Sequence, residues 1–266
     1  MNAPVQPGRI LSKKENGIGW IIFSNLAKHN AVSLDMWQAV PSLMQEYEAD
    51  PDVRAIVITG DGEKAFISGA DISQFDKVRG SADAQAVYNT AVDKGYESPV
   101  LCAKPVIAKI RGFCMGGGLG LAAACDVRLC AEDAVFRMPA ARLGLGYNYS
   151  GMKRFVGIIG SANTADIFFT ARKFGAADAL SMGFATHVYP VADFDARVNE
   201  YLAMVSENAP LTLAAAKYTI RQIATDAAER DMAGLKSRIA KCFDSDDYKE
   251  GRKAFMEKRS PQFKGR

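Results

Sequence analysis

Apolar residues recur with two different periods along this chain, and the switches between them lay out its elements. Gly19 to Phe23 (GWIIF) is a run of bulky and β-branched residues bounded by Gly17 and Asn25, which predicts a strand. From Ser33, a residue type suited to an N-cap, Met36/Trp37, Val40, Leu43/Met44 and Tyr47 recur at helical spacing until Asp50 and Pro51 stop the run. Arg54 to Thr59 (RAIVIT) reads as the next strand, ended by Gly60, Asp61 and Gly62. Strand, helix, strand in that order predicts a parallel crossover.

A loop at Lys64 to Asp71 and a helical stretch around Ala82 to Val92 come next, and Pro105 then opens a strand at Val106 to Ile110. A glycine-rich turn and helix follow it, and Asp126 to Cys130 (DVRLC) reads as a further strand. The last third is helical in pattern. Leu211, Ala214/Ala215 and Tyr218 keep the i, i+3, i+4, i+7 spacing, and Ser245 to Lys258 is a charged helix with acids first and bases last. No Pro/Ser linker or repeat divides the chain, so the expected organisation is an α/β core over residues 1–200 and a helical region over residues 201–266.

Composition narrows the class. With 266 residues, 48% hydrophobic and 24% charged, the chain can bury a sizeable core without a disulfide or metal staple. Its 33 Lys and Arg exceed its 30 Asp and Glu by only 3, too slight a balance to announce a nucleic acid or membrane partner, though an anionic ligand is tolerated. The five cysteines, Cys102, Cys114, Cys125, Cys130 and Cys242, form no CxxC pair, which argues for a reducing compartment. The first residues, MNAPVQPGRILSKKENG, carry no apolar signal-peptide run, and Asp126 and Arg128 close the one long apolar stretch. A soluble cytoplasmic protein is expected.

The strongest local signal is Lys104 to Asp126, KPVIAKIRGFCMGGGLGLAAACD, where a buried strand runs into three consecutive glycines and a small-residue helix. Glycines let a ligand approach the backbone, and the helix start behind them offers unpaired N–H groups and a positive dipole end. An oxyanion site fits this pattern, and so does tight backbone-to-backbone packing. The GK[ST] ending of a phosphate loop is absent, and the Gly116, Gly118 spacing is weak support for a dinucleotide fold. A second small-residue turn, KAFISGAD at Lys64 to Asp71, could present the N–H of Ala70.

Together these stretches resemble the enoyl-CoA hydratase/isomerase (crotonase) superfamily. Its members carry an AF-x-x-GAD loop, a KPVIA-x-x-G-x-x-x-GGG segment ending in CD, and a late AF-x-EKR-x-P-x-F helix. Here these are AFISGAD, KPVIAKIRGFCMGGG and AFMEKRSPQF, with KHNAVS at Lys28 to Ser33 similar to the family's NAL-S start. The resemblance implies an α/β spiral of repeated β-β-α units with a C-terminal helical trimerisation region, assembled as trimers or pairs of trimers. It further implies an acyl-CoA substrate, no cofactor beyond the coenzyme A moiety, and an oxyanion hole for the thioester carbonyl. Its two backbone donors fall on Ala70 and Gly117, and losing one such donor typically costs about 10²–10³ in rate. The coenzyme A positions fall on Lys28, Ala70, Asp71, Ile72, Phe255 and Lys258, the last two often acting from a neighbouring subunit. Lys28 and Lys258 also read as solvated surface lysines.

The sequence departs from the family at two positions. Active hydratases place one glutamate just after the glycines and another after a Pro further on, where this chain has Gly120 and Ala140. General acid–base help is worth roughly 10²–10⁴ per group, so ordinary hydration should be crippled unless other side chains replace them. Leu143 to Gly151, LGLGYNYSG, resembles the LG-x-x-YN-x-x-G of methylmalonyl-CoA decarboxylases, as does SDDYKEG at Ser245, and Tyr147 takes the place of the tyrosine beside the thioester. That resemblance is partial, because those enzymes carry a histidine at Ala70 and a glutamate at Gly120. Decarboxylation needs no protein base, so an oxyanion hole and a tyrosine could suffice; a packed aromatic is the other reading of Tyr147. A non-catalytic acyl-CoA binder also fits the loss of both glutamates.

Remaining candidates are weaker. His29 and His187, the only histidines, lack the spacing of a metal site. Cys114 reads as a small buried residue before it reads as a nucleophile. Arg142 could pair a substrate carboxylate or sit on the surface, and Asp126 reads as structural.

Overall fold

The computed structural model describes residues 7–71 and 82–266. Ile72 lies outside the described residues. Two sheets organise the chain. The larger runs β1 (Arg9–Glu15), β2 (Ile18–Ser24), β3 (Ala55–Gly60), β5 (Val106–Ile110), β7 (Val127–Ala131) and β10 (His187–Tyr189) in that spatial order, parallel except for the β1–β2 hairpin. The smaller joins β4 (Ala65–Ile67), β6 (Phe113–Met115), β8 (Val135–Arg137) and β9 (Lys173–Gly175), with only β9 antiparallel. Each pair β3/β4, β5/β6 and β7/β8 gives one strand to each sheet, which is the β-β-α spiral that the motifs implied.

The helices fill the connections. Helix α1 (Leu34–Ala49) starts where its pattern predicts, with the Ser33 hydroxyl accepting from Met36 N–H. Helix α2 (Ala82–Leu101) extends nine residues beyond the stretch that its sequence suggests. Helix α3 (Gly117–Ala124) follows the glycines, α4 (Tyr149–Thr170) is broken at Gly160 where φ is 73°, and α5 (Ala176–Ser181) and α6 (Phe194–Ser206) close the core. The tail holds α7 (Pro210–Ala224), α8 (Met232–Asp244) and α9 (Asp246–Glu257).

Alternation along β3 shows how the core divides. Ile56 and Ile58 face the cluster shared with α1, whereas Ala55 and Val57 face Phe194, Val198 and Leu202 of α6. Both faces of the parallel sheet are therefore covered, which explains why RAIVIT reads as a continuous apolar run. Several elements have no counterpart in the sequence pattern: the charged edge strand β1, the four three-residue strands of the small sheet, α4, α5 and β10. All five cysteines are free, and four are buried. No helix of the described residues is long and apolar enough to cross a membrane.

The C-terminal segment is hooked back on α9. Glu250 accepts from Arg259 at 2.7 and 2.9 Å and from the Gln262 N–H at 2.9 Å, while Asp247 accepts from the N–H groups of Lys264 and Gly265. Arg259 draws the Glu250 carboxyl down to about 2 from an ordinary 4.5. A carboxyl lowered on folding adds stability that is complete above the unfolded value and is lost as pH falls through the folded one. A carbon-detected NMR titration should therefore place the Glu250 midpoint near 2, and Arg259→Gln should return it towards 4.5; an unshifted midpoint in the wild type contradicts the hook.

Candidate functional site

The two glycine-bearing turns meet at one point. Gly69 (φ 123°) and Gly116 (φ 52°) both take backbone conformations that side chains rarely adopt, and a Cβ built on Gly116 would lie 3.9 Å from the Gly69 Cα. The two turns are in ordinary van der Waals contact, and glycine is required at both for its positive φ rather than for space.

The hydrogen-bond pattern sets where the amides of Ala70 and Gly117 point. Ala70 forms a parallel bridge with Val32, in which Val32 N–H donates to Gly69 O and Asp71 N–H donates to Val32 O, both at 2.9 Å. In such a bridge the middle residue's own N–H is directed away from the partner. Gly117 is the first residue of α3, so its N–H is one of the four that a helix start leaves without an intrahelical acceptor. Gly116 N–H, by contrast, is spent on Arg137 O at 2.9 Å. Neither Ala70 N–H nor Gly117 N–H has an acceptor among the described residues.

Beside these amides lies Gly120, one turn along α3 on the same face as Gly117. A Cβ there would stand 2.7 Å from the Tyr96 hydroxyl oxygen and 3.0 Å from that of Tyr147. Tyr96 comes from α2, donates to Gly117 O at 3.2 Å, and packs edge-on against Trp37 at 5.3 Å. Tyr147 comes from the segment before α4, with its ring edge-on to Phe155 and Phe168. Burial pushes the Tyr147 hydroxyl up to about 12, and burial followed by the neighbouring Tyr147 raises Tyr96 as well. Both phenols stay protonated at neutral pH, so they act as donors rather than bases. Ala140, at the other departure from the family pattern, is buried and carries no polar group.

The remaining candidates separate clearly. Lys28 pairs with Asp71 at 2.9 Å, Asp71 being buried and Lys28 half-exposed, so the two act on each other at the mouth of the Ala70 turn. Phe255 and Lys258 are not brought to that turn within the chain. Phe255 is 83% exposed and lines a groove of about 830 Å³ between α7, α8 and α9, while Lys258 caps α9 in the left-handed region. Of the three residues in the YNY stretch only Tyr147 faces the site. Asn148 caps α4, accepting from Gly151 N–H at 2.8 Å and donating to Asp93, and Tyr149 is 74% exposed. Cys114 is fully buried, its thiol pushed well up by desolvation, which removes it as a nucleophile. Arg142 is exposed. Asp126 is structural: it accepts from Val106 N–H and pairs with Lys217, both at 2.7 Å. The rings of His29 and His187 pack on Phe113 and on Tyr189 and Tyr201.

Tyr96 is a site residue that motif reading misses, as is the part-buried Arg154, whose charge acts on both tyrosines. Tyr96 sits 24 positions before Gly120 in a helix without a motif, and only the packing of α2 on α3 brings it there.

A two-sheet β-β-α spiral of this topology defines the crotonase-like class of folds. The family model for enoyl-CoA hydratase/isomerase matches residues 13–266, and the chain belongs to that family. It is 28% identical to the short-chain-enoyl-CoA hydratase of Clostridium acetobutylicum, over 97% of this chain and 98% of that protein. It is 27% identical to the peroxisomal Delta(3,5)-Delta(2,4)-dienoyl-CoA isomerase of Arabidopsis thaliana, over 96% and 95%. The crystal structure of an enoyl-CoA hydratase/carnithine racemase from Magnetospirillum magneticum superposes with a TM-score of 0.92 at 30% identity, covering 97% of this chain and 96% of that one.

Proposed function

We propose that the protein binds an acyl-CoA thioester and stabilises its enolate through the N–H groups of Ala70 and Gly117. The meeting of the Gly69 and Gly116 turns carries this reading, since it leaves two unpartnered amides on adjacent backbone segments. An enolate concentrates charge on one oxygen, and fixed donors aimed at that oxygen stabilise the transition state without reorganising. In this reading Lys28 and Asp71 border the coenzyme A entrance. Phe255 and Lys258 reach the coenzyme from a neighbouring subunit of a trimer or pair of trimers. Purified protein assayed with enoyl-, hydroxyacyl- and malonyl-type thioesters tests it: turnover of at least one class is expected, and silence with all three removes it. Tight acyl-CoA binding by calorimetry without turnover identifies a non-catalytic binder instead.

One observation favours decarboxylation of a malonyl-type thioester over hydration. The site offers the Tyr147 hydroxyl, which makes no hydrogen bond among the described residues, and has neither family carboxylate. In that reaction the bond from the α-carbon to the carboxylate breaks and its electron pair passes into the enolate. Carbon dioxide leaves, Tyr147 gives its proton to the α-carbon, and water restores the phenol. Tyr147→Phe should then lower decarboxylation by about 10²-fold with little change in KM. An unchanged kcat assigns the proton to solvent and Tyr147 to packing.

A further inference from the structure

We propose that Tyr96 is a specificity-determining residue: its ring and hydroxyl occupy the volume over Gly120 that a hydrating carboxylate and its water would need, and so restrict the site to reactions that protonate an enolate. The inference deepens the thioester reading given above and rests on it.

The geometry leaves little freedom. A Cβ at position 120 would come within 2.7 Å of the Tyr96 hydroxyl oxygen, 2.9 Å of Cζ and 3.0 Å of the Tyr147 hydroxyl oxygen. Such contacts are shorter than carbon atoms tolerate, so either the tyrosines move or the position stays glycine. Tyr147 is held through its ring alone, edge-on to Phe155 and Phe168 and against Gly151, and its hydroxyl, held by no hydrogen bond among the described residues, can move. Tyr96 cannot do so cheaply. Its hydroxyl proton is donated to Gly117 O at 3.2 Å, and its ring stands edge-on, at 81°, against Trp37, which is 1% exposed. Trp37 in turn is wedged against Gly95, where a Cβ would lie 2.7 Å from the indole ring. Tyr96 is thus fixed at both ends, by a peptide carbonyl of α3 and by a buried indole.

The chemical consequence follows from the inventory of the pocket. With the Tyr96 proton engaged on a carbonyl, the Tyr147 hydroxyl is the one proton that this pair presents to the open side. Neither phenol abstracts a proton at neutral pH, and neither family carboxylate position, Gly120 or Ala140, supplies one to the space between them. Addition of water across an enoyl double bond requires a base to activate the water, whereas quenching an enolate requires only a donor.

A melting cycle and a hydration assay on the full-length protein test this together. Gly120→Ala should lower Tm by about 5 °C in the wild-type background and by much less in Tyr96→Ala, because the added methyl group then finds room. Tyr96→Ala/Gly120→Glu should hydrate crotonyl-CoA about 10²-fold faster than Gly120→Glu alone. Equal cost of Gly120→Ala in both backgrounds, or equal hydration with and without Tyr96, overturns the proposal. If Gly120→Glu fails to fold, the alanine cycle still decides the steric claim. Calorimetry of the wild type with butyryl-CoA separates the two failures: a coupled melting cycle without thioester binding refutes the thioester reading and the reaction limit attributed to Tyr96, while the packing of Tyr96 on Gly120 stands.

Discussion

Gly118→Ala is expected to cost about 3 kcal/mol of stability and to reduce thioester turnover by at least about 10²-fold. The Cβ it introduces would lie 2.5 Å from the Ile67 carbonyl oxygen and 2.6 Å from the Ile67 Cβ. Neither neighbour can be relieved by a rotamer change, since one is backbone and the other is the branch point of a side chain in the small sheet. The strain must therefore push the start of α3 away from β4. Ala70 lies three residues beyond β4 and Gly117 at the start of α3, so the same displacement that destabilises the fold separates the two amides. Urea unfolding and kcat/KM measured on one preparation check both effects. A variant that is destabilised yet fully active shows that the amides do not work as a pair, and one that is neither shows that the loops meet less closely than the structure places them.

Lys217→Met is the second large effect, at about 2–3 kcal/mol, and it acts far from the chemistry. The Lys217 ammonium, with a side chain only 10% exposed, donates to Pro99 O at 2.7 Å and Lys104 O at 3.0 Å and pairs with Asp126 at 2.7 Å. It thereby ties α7 to the end of α2, to the loop before β5 and to the start of β7. Methionine keeps the packing volume but takes the ammonium donor from two carbonyls and leaves the Asp126 carboxylate without its cation. Because Asp126 keeps about a third of its side-chain exposure and still accepts from Val106 N–H, the loss falls below that of a sealed buried pair. Asp126→Asn in the same background should recover part of it by removing the uncompensated charge. Chemical denaturation of the single and double variants measures this, and a loss under 1 kcal/mol would show α7 to be anchored by its apolar face alone.

Much of the fold is legible along the chain because its long elements are periodic over many residues. The α1 pattern ends at Asp50, as the structure does, and the strands β2, β3, β5 and β7 fall within one residue of their apolar runs. The small sheet is not legible. Its strands are three residues each, too short for any period to show, and they pair because the larger sheet's turns deliver them side by side. Strand β1 is hidden for another reason: at the edge it needs only main-chain pairing with β2, and most of its side chains, RILSKKE, face water. Helix α4 escapes because the φ of 73° at Gly160 breaks it, so no single helical period runs through Tyr149–Thr170.

The candidate site divides in the same way. Residues whose proposed role depends on local backbone shape, Ala70 within GAD and Gly117 within GGG, are marked by their immediate neighbours in a motif. Family membership, the proposed amide donors and the residues Gly120 and Ala140 at the family's glutamate positions are accordingly legible in the linear chain. What fills the vacated space is not, because that depends on distances between side chains from α2, α3 and the segment before α4. The contact of Tyr96 and Tyr147 with Gly120, the placement of Phe255 on a separate groove, and the pairing of Lys28 with Asp71 arise only once the chain packs. Packing acts between residues distant in sequence, and no local pattern encodes it.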